Sequence, residues 1–190
     1  MEISTAVILG IIAIVVIYAI LIYNGLVSLK HNVSKAWSNI DVLLKQRHDE
    51  LPKLVEACKQ YMKHEAGTLE RVMEARSGVS KARESKDIQA LGMAETALRQ
   101  GLMNLFAVAE AYPDLKANES FQHLQTRISG LENSIADRRE FYNESVNNNN
   151  VRIEQFPDLI IARQFSFKPF DLLEFSEEEK SDVNLKSLFD

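Results

Sequence analysis

Cysteine occurs once in the 190 residues, at Cys58, so the chain has no internal disulfide framework. Proline is nearly as scarce, with four residues, and glycine contributes seven. So little of either leaves few obligatory helix breaks and excludes a collagen-like chain. Positive charge is absent from the first 29 positions, although the chain holds 22 Lys and Arg. With 27 acidic residues the formal net charge is −5, which excludes a highly basic nucleic-acid binder. There is no glycine-rich phosphate loop, no GxSxG elbow, no HExxH pair and no alternation of strands with helices.

What the opening does have is a long apolar run. Residues Ile3–Leu29 are uncharged, and Ala6–Tyr23 (AVILGIIAIVVIYAILIY) is apolar apart from its tyrosine hydroxyls. Eighteen residues rise about 27 Å as a helix, enough for most of a hydrocarbon core. A lipid interior offers no partners to open strand edges, so the Ile and Val content does not argue for a strand. MEIST lacks the basic start of a secretory leader, and no small-x-small cleavage site precedes Leu29, so a retained anchor is expected. Lys30, Lys35, Lys45, Arg47 and Lys53 follow the span while Glu2 alone precedes it. That asymmetry predicts an outside N-terminus and a cytoplasmic body, the basic residues attracting lipid headgroups.

Beyond the span, Val33, Trp37, Ile40, Leu44, Leu51, Leu54, Cys58, Met62, Leu69, Val72 and Met73 recur at helical spacing. They predict one long helix to about Arg76, bent at Pro52 because proline removes a donor and clashes with the preceding turn. Ser77–Lys86 reads as a turn. Asp87 is a candidate cap for a helix carrying Ile88, Leu91, Ala94, Glu95, Leu98, Leu102 and Leu105, which ends at Tyr112-Pro113. In it, Gly92 and Gly101 permit close approach of another helix. A third helix starts near Lys116–Ser120 and carries Phe121, Leu124, Ile128, Leu131, Ile135, Tyr142 and Val146. Asn147–Asn150 reads as a loop, since Asn side chains compete for backbone hydrogen bonds, with helix resuming before Pro157 as the alternative. A short helix is expected from Asp158 to about Gln164, then an aromatic segment, Phe165–Phe175, that packs on the bundle.

Few residues carry chemistry. Cys58 lies on the apolar stripe and reads as an inert core thiol. His48, near the carbonyl that Pro52 leaves free, reads as structural, either satisfying a polar site in the bundle or pairing with a carboxylate. Glu56, Glu65, Glu95, Glu110 and Glu132 place carboxylates between helices, but the paired E-x-x-H equipment of a di-metal bundle is missing. No catalytic residue, metal site or cofactor is therefore assigned, and no nucleic-acid partner.

The phrases NGLVSLKHNVSKAWSNIDVLLKQRHDELPKLVE and KQYMKHE within Asn24–Glu65 resemble the LemA family, as do YPDLKANESFQHLQ, SGLENSIADRREFYNESVNNNN and FPDLIIARQFSFKPFDLLEF in the same order. The resemblance implies a single-pass membrane protein with a helical bundle, and magnetosome-associated relatives imply participation in membrane organisation. Its matching positions are Asn24, Trp37, Asp41, Arg47, His48, Asp49 and Pro52, then Tyr112 and Pro113, then Arg139, Tyr142, Asn143, Phe156 and Pro157.

The expected fold is all-α, a single transmembrane helix continuing into a long antiparallel helical bundle. Its expected parts are a short extracytoplasmic N-terminus (1–5), the anchor (6–29), a LemA-like bundle (30–175) and an acidic tail (176–190). The expected function is a self-associating, membrane-organising scaffold in a bacterial inner (plasma) membrane. Its partners are then the lipid bilayer and further copies of the chain, with no enzymatic role. The alternatives are a non-enzymatic adaptor for a membrane protease or transporter and, third, a metal-dependent helical enzyme.

Overall fold

The computed structural model describes residues 3–174, so the acidic tail lies outside the described residues. Among the described residues six helices run in order: α1 Ile3–Lys59, α2 Ala66–Ser85, α3 Ile88–Ala109, α4 Pro113–Lys116, α5 Glu119–Glu154 and α6 Asp158–Gln164. No strand occurs among the described residues. By packing, the chain divides into two compact units. One takes the residues up to Asn39 with Glu140–Leu172; the other takes Ile40–Arg139 with the described residues from Leu173.

In the first unit, α1 is exposed through the apolar run and begins to pack at Ile22. From there Ile22, Leu26, Val33 and Ala36 are buried at steps of four, seven and three, one face of a helix. The facing stripe on α5 is Tyr142, Val146, Asn149 and Ile153. Ile22 and Leu26 meet Ile153, whereas Trp37 meets Tyr142 edge-on at 5.8 Å, so α1 and α5 run antiparallel here. Nothing interrupts α1 between residues 29 and 30.

Asn147–Asn150 is helix, not loop, because Glu119–Glu154 is continuous. The tertiary contacts explain why. Asn150 donates from Nδ2 to the Phe170 carbonyl and accepts from the Phe170 N–H, both at 2.9 Å. Buried Asn149 also donates to the Lys168 carbonyl, at 3.5 Å. The amides that compete with helix in isolation are occupied by the returning chain, which turns helix breakers into a binding edge.

In the second unit α1 stops at Lys59, so the helix expected to reach Arg76 is in fact two. Tyr61 and Met62 both donate backbone N–H groups to the Cys58 carbonyl, closing the turn. Asn118 donates to the Tyr61 hydroxyl at 3.2 Å, and the Tyr112 hydroxyl donates to Glu65 at 3.4 Å, which ties the turn to the α3–α5 connection. Met62, Leu69 and Val72 remain buried across the reversal, so the apolar period runs through it unbroken. Ser77–Lys86, expected as a turn, is helix up to Ser85; the reversal is confined to Lys86, whose φ of 57° is left-handed. Asp87 then caps α3 by accepting from the Ala90 N–H at 2.9 Å, as expected.

The result is a four-helix arrangement where three helices were expected. Asp41 pairs with Arg83 and His48 with Arg76, so α2 runs antiparallel to α1. Gly78 faces Ala94 and Gly101 faces Val72, which sets α3 antiparallel to α2. Arg47 meets Glu132, and Glu50 meets Arg127, which sets α5 antiparallel to α1. Gly101 does admit a neighbouring helix, but Gly92 admits a non-helical segment: a Cβ there would run into the Glu174 carbonyl.

Candidate functional site

Three features concentrate the chemistry: the apolar stretch of α1, a buried ion cluster and a histidine four residues before Pro52. Across the apolar stretch Val7, Ile14, Ile17 and Leu21 are each more than half exposed. In water that much apolar surface is unfavourable, at roughly 25 cal/mol per Å². Among the described residues α1 alone is long and apolar enough to cross a membrane.

The ion cluster centres on Arg47, which the charge pattern placed among headgroup-facing cations. The structure corrects this: Arg47 is 1% exposed and points into the second unit. Its Nη2 donates to Glu95 on α3 and its Nη1 to Glu132 on α5. Burial works against its charge, but the two carboxylates outweigh burial and hold the guanidinium above its ordinary pKa. Glu95 sat within an apolar helical stripe in the sequence; the signal for its role was a carboxylate at a core position, which needs a cation there. Of the five carboxylates considered for a metal, Glu95 and Glu132 do converge, on a guanidinium. Among the described residues no group of three or more His, Cys, Asp or Glu is arranged to hold a metal ion.

His48 takes the first of its two structural readings, a satisfied polar site, and its partner is a cation, not a carboxylate. Its carbonyl, the acceptor that a donor at position 52 would have served, accepts from Arg76 Nε at 2.9 Å. Arg76 Nη2 lies 2.6 Å from the His48 Nε2. A guanidinium only donates, so Nε2 accepts and the ring proton sits on Nδ1. Partial burial and then Arg76 push the His48 pKa below the usual histidine value. Cys58 is buried, and burial pushes its thiol up to about 11, as suits an inert core thiol.

Of the remaining family-matching residues Arg139 joins the ion cluster through its charge on Glu95, and the others do not gather into one site. Asn24 and Asp49 are both exposed at the helix surface, and Asp41 pairs with Arg83 at 3.1 Å. Trp37 is half-buried against Tyr142, whose hydroxyl donates to the Asp171 carbonyl at 3.0 Å. Burial, with Asp171 nearby, pushes the Tyr142 phenol up to about 12. Pro52 is half-buried and lines a cleft of about 630 Å³ with Met62 and Leu69. Tyr112 and Pro113 form the entry to α4, with Leu115 buried beneath them. Asn143 is half-buried, Arg139 lies along α5, Phe156 is 80% exposed, and Pro157 precedes α6. Sequence reasoning missed Arg76, Asn149 and Asn150. Only the proline, by orphaning a carbonyl, left a trace of the first.

The family model described as the LemA family matches residues 36–186. The chain belongs to the LemA family. Protein LemA of Metamycoplasma hominis is 26% identical over 165 residues, covering 87% of this chain and 74% of that protein. Magnetosome protein MamQ 2 of Paramagnetospirillum magneticum is 32% identical over 80 residues. MamQ of Magnetospirillum gryphiswaldense is 31% identical over a stretch of the same length. Those alignments cover 42% of this LemA-family chain and 29% of each magnetosome protein, so the chain spans under a third of those relatives. None of these names specifies a reaction.

Proposed function

We propose that this LemA-family protein is a membrane-anchored scaffold that associates laterally with further copies of itself. The observation that carries the reading is the continuity of α1. Its exposed apolar stretch runs without a break into residues that pack against α5. A helix that leaves the bilayer already packed transmits its placement to the body, which a flexible linker would not do. Confinement to a membrane raises the effective concentration of copies, so weak contacts suffice for assembly.

The anchor is Ala6–Leu29 in this reading, in a bacterial inner membrane, with the N-terminus outside. Removing Arg47 from the positive-inside count leaves Lys30, Lys35, Lys45 and Lys53, and the asymmetry keeps its sign. The magnetosome names of two relatives fit a role at a membrane-bounded structure. An adaptor for another membrane protein uses the same anchor and differs in what is bound.

Cross-linking in native membranes at physiological expression tests the proposal. Discrete higher oligomers of the chain are expected. Recovery of monomers alone, or of one-to-one complexes with a different membrane protein, overturns lateral scaffolding.

A further inference from the structure

The exposed apolar surface of the first unit does not end with the span. Burial on α1 starts at Ile22, where Ile22 and Leu26 pack with Ile153 and with Ala162 on α6, and Ile161 and Phe167 lie against this cluster. The Tyr23 ring meets Phe165 edge-on at 4.8 Å and Phe167 at 5.9 Å. Thus α6 and the chain after it lie at the level where the apolar run gives out, and Tyr is enriched at that level of a bilayer. On the outside of this platform Phe156 is 80% exposed, Ile160 58% and Phe165 57%.

A polar side adjoins that apolar one. Lys30, His31, Lys168 and Asn149 line a cleft of about 520 Å³ together with Tyr23 and Phe165. Lys30 lies seven residues beyond Tyr23, roughly 10 Å along the helix, while a headgroup layer is about 5–8 Å deep. Its Cα therefore lies just beyond the headgroups, and the side chain, which tilts toward the helix N-terminus, brings the ammonium back to the phosphate level when Tyr23 sits at the hydrocarbon boundary.

We propose that α6 and its flanks form a second, interfacial membrane contact. Phe156, Ile160 and Phe165 lie in the headgroup–acyl boundary beside the span. The adjoining cleft takes the phosphate of an anionic phospholipid, with Lys30 and Lys168 as its cations. Aromatic and aliphatic side chains beside lysines are what an interface-lying element presents to lipid. The platform fixes the rotation and depth of α1, which a lone span leaves free to tilt. This inference rests on the anchor reading and deepens it.

The test uses the full chain in nanodiscs, with Ile160→Cys or Glu144→Cys carrying an environment-sensitive fluorophore. Cys58 is buried and stays in place, and the unsubstituted chain serves as the labelling blank. Glu144, on α5 near the Trp37–Tyr142 contact, is the control away from the interface. Nitroxide lipids labelled high on the acyl chain are expected to quench position 160 several-fold more than position 144. Equal quenching overturns the interfacial contact. Protein that resists carbonate extraction yet shows equal quenching sinks this inference alone, whereas carbonate-soluble protein sinks the anchor reading.

Native mass spectrometry addresses the cleft. Retention of phosphatidylglycerol over phosphatidylcholine is expected, with the preference lost in Lys30→Gln/Lys168→Gln. Inorganic phosphate is expected not to displace the lipid. Displacement by phosphate, or an unchanged preference in the double variant, overturns the headgroup assignment.

Discussion

Arg76 on α2 donates its Nε–H to the carbonyl of His48, the acceptor stranded by Pro52 four residues later. The hydrogen bond that Pro52 cannot donate within α1 is therefore supplied by a neighbouring helix, and Pro52 and Arg76 should be energetically coupled. Arg76→Met removes the donor from a part-buried acceptor and is expected to cost about 0.5–1.5 kcal/mol, the net worth of an intramolecular hydrogen bond. In a Pro52→Ala background the backbone N–H restored at position 52 competes for the same carbonyl, so the loss should shrink by at least about 0.5 kcal/mol. Denaturant unfolding of the four proteins in detergent gives the coupling. Strict additivity would show that Arg76 does not substitute for the missing donor.

His48 makes the same contact sensitive to pH. Its folded pKa lies below the unfolded value near 6.5, because of burial and the Arg76 charge, with Arg83 adding to the effect and Asp49 and Glu84 opposing it. The unfolded chain then binds the proton more readily than the folded one. The stabilisation is complete above about pH 6.5 and is lost as pH falls through that value toward the folded pKa. Thermal melts from pH 7.5 to 5.5 should fall in midpoint, and His48→Gln, which keeps an acceptor without the titration, should flatten that slope. An equal slope in both proteins would place the titrating group elsewhere.

The ion cluster predicts a non-additive pattern. Arg47→Met leaves Glu95 at 2% exposure and Glu132 at 22% without the guanidinium that both hydrogen-bond, with the charge of Arg139 still acting on Glu95. A loss of about 3–5 kcal/mol is expected. Replacing all three residues, as Arg47→Met/Glu95→Leu/Glu132→Leu, removes the charge that must be compensated and should recover most of the loss. Unfolding free energies of the single and triple variants decide this. A triple variant no more stable than Arg47→Met would mean that the carboxylates contribute packing that leucine does not replace.

These contacts show which parts of the fold could be read in the sequence. The buried stripes were legible because Leu44, Leu51, Leu98 and Ile128 keep helical period and burial together. The Asp87 cap was legible because a short acceptor preceded an apolar period. The end of α1 at Lys59 was not, since the reversal contains neither glycine nor proline and Met62 keeps the apolar rhythm through it. Local pattern fixes which face is buried but not where the chain doubles back, which here depends on distant partners, Asn118 and Tyr112. Arg47 was misread for a related reason: charge counting treats every cation as solvated, and its two partners lie 48 and 85 residues away. Of the candidate site, the apolar span could be read directly, whereas the cleft beside it depends on a chain return that no local pattern encodes.

That return gives the last prediction. Asn150 meets both backbone groups of Phe170, donating to the carbonyl and accepting from the N–H, as a neighbouring strand would. Asn150→Leu removes both bonds, and Asn150→Asp keeps the acceptor while setting a carboxylate against the Phe170 carbonyl. Either change should raise the population of chain in which Phe165–Phe170 is released from α5. At about 1–2 kcal/mol for this pair of hydrogen bonds, that population grows roughly 5–30-fold. Limited chymotrypsin digestion at Phe165, Phe167 and Phe170 should accelerate in proportion while α1–α5 helicity, followed by circular dichroism, holds. Cleavage no faster than in the parent chain would mean that the segment is retained by the Tyr23–Phe165–Phe167 ring contacts and the buried Ile22–Ala162 cluster, with the asparagine amide contributing little.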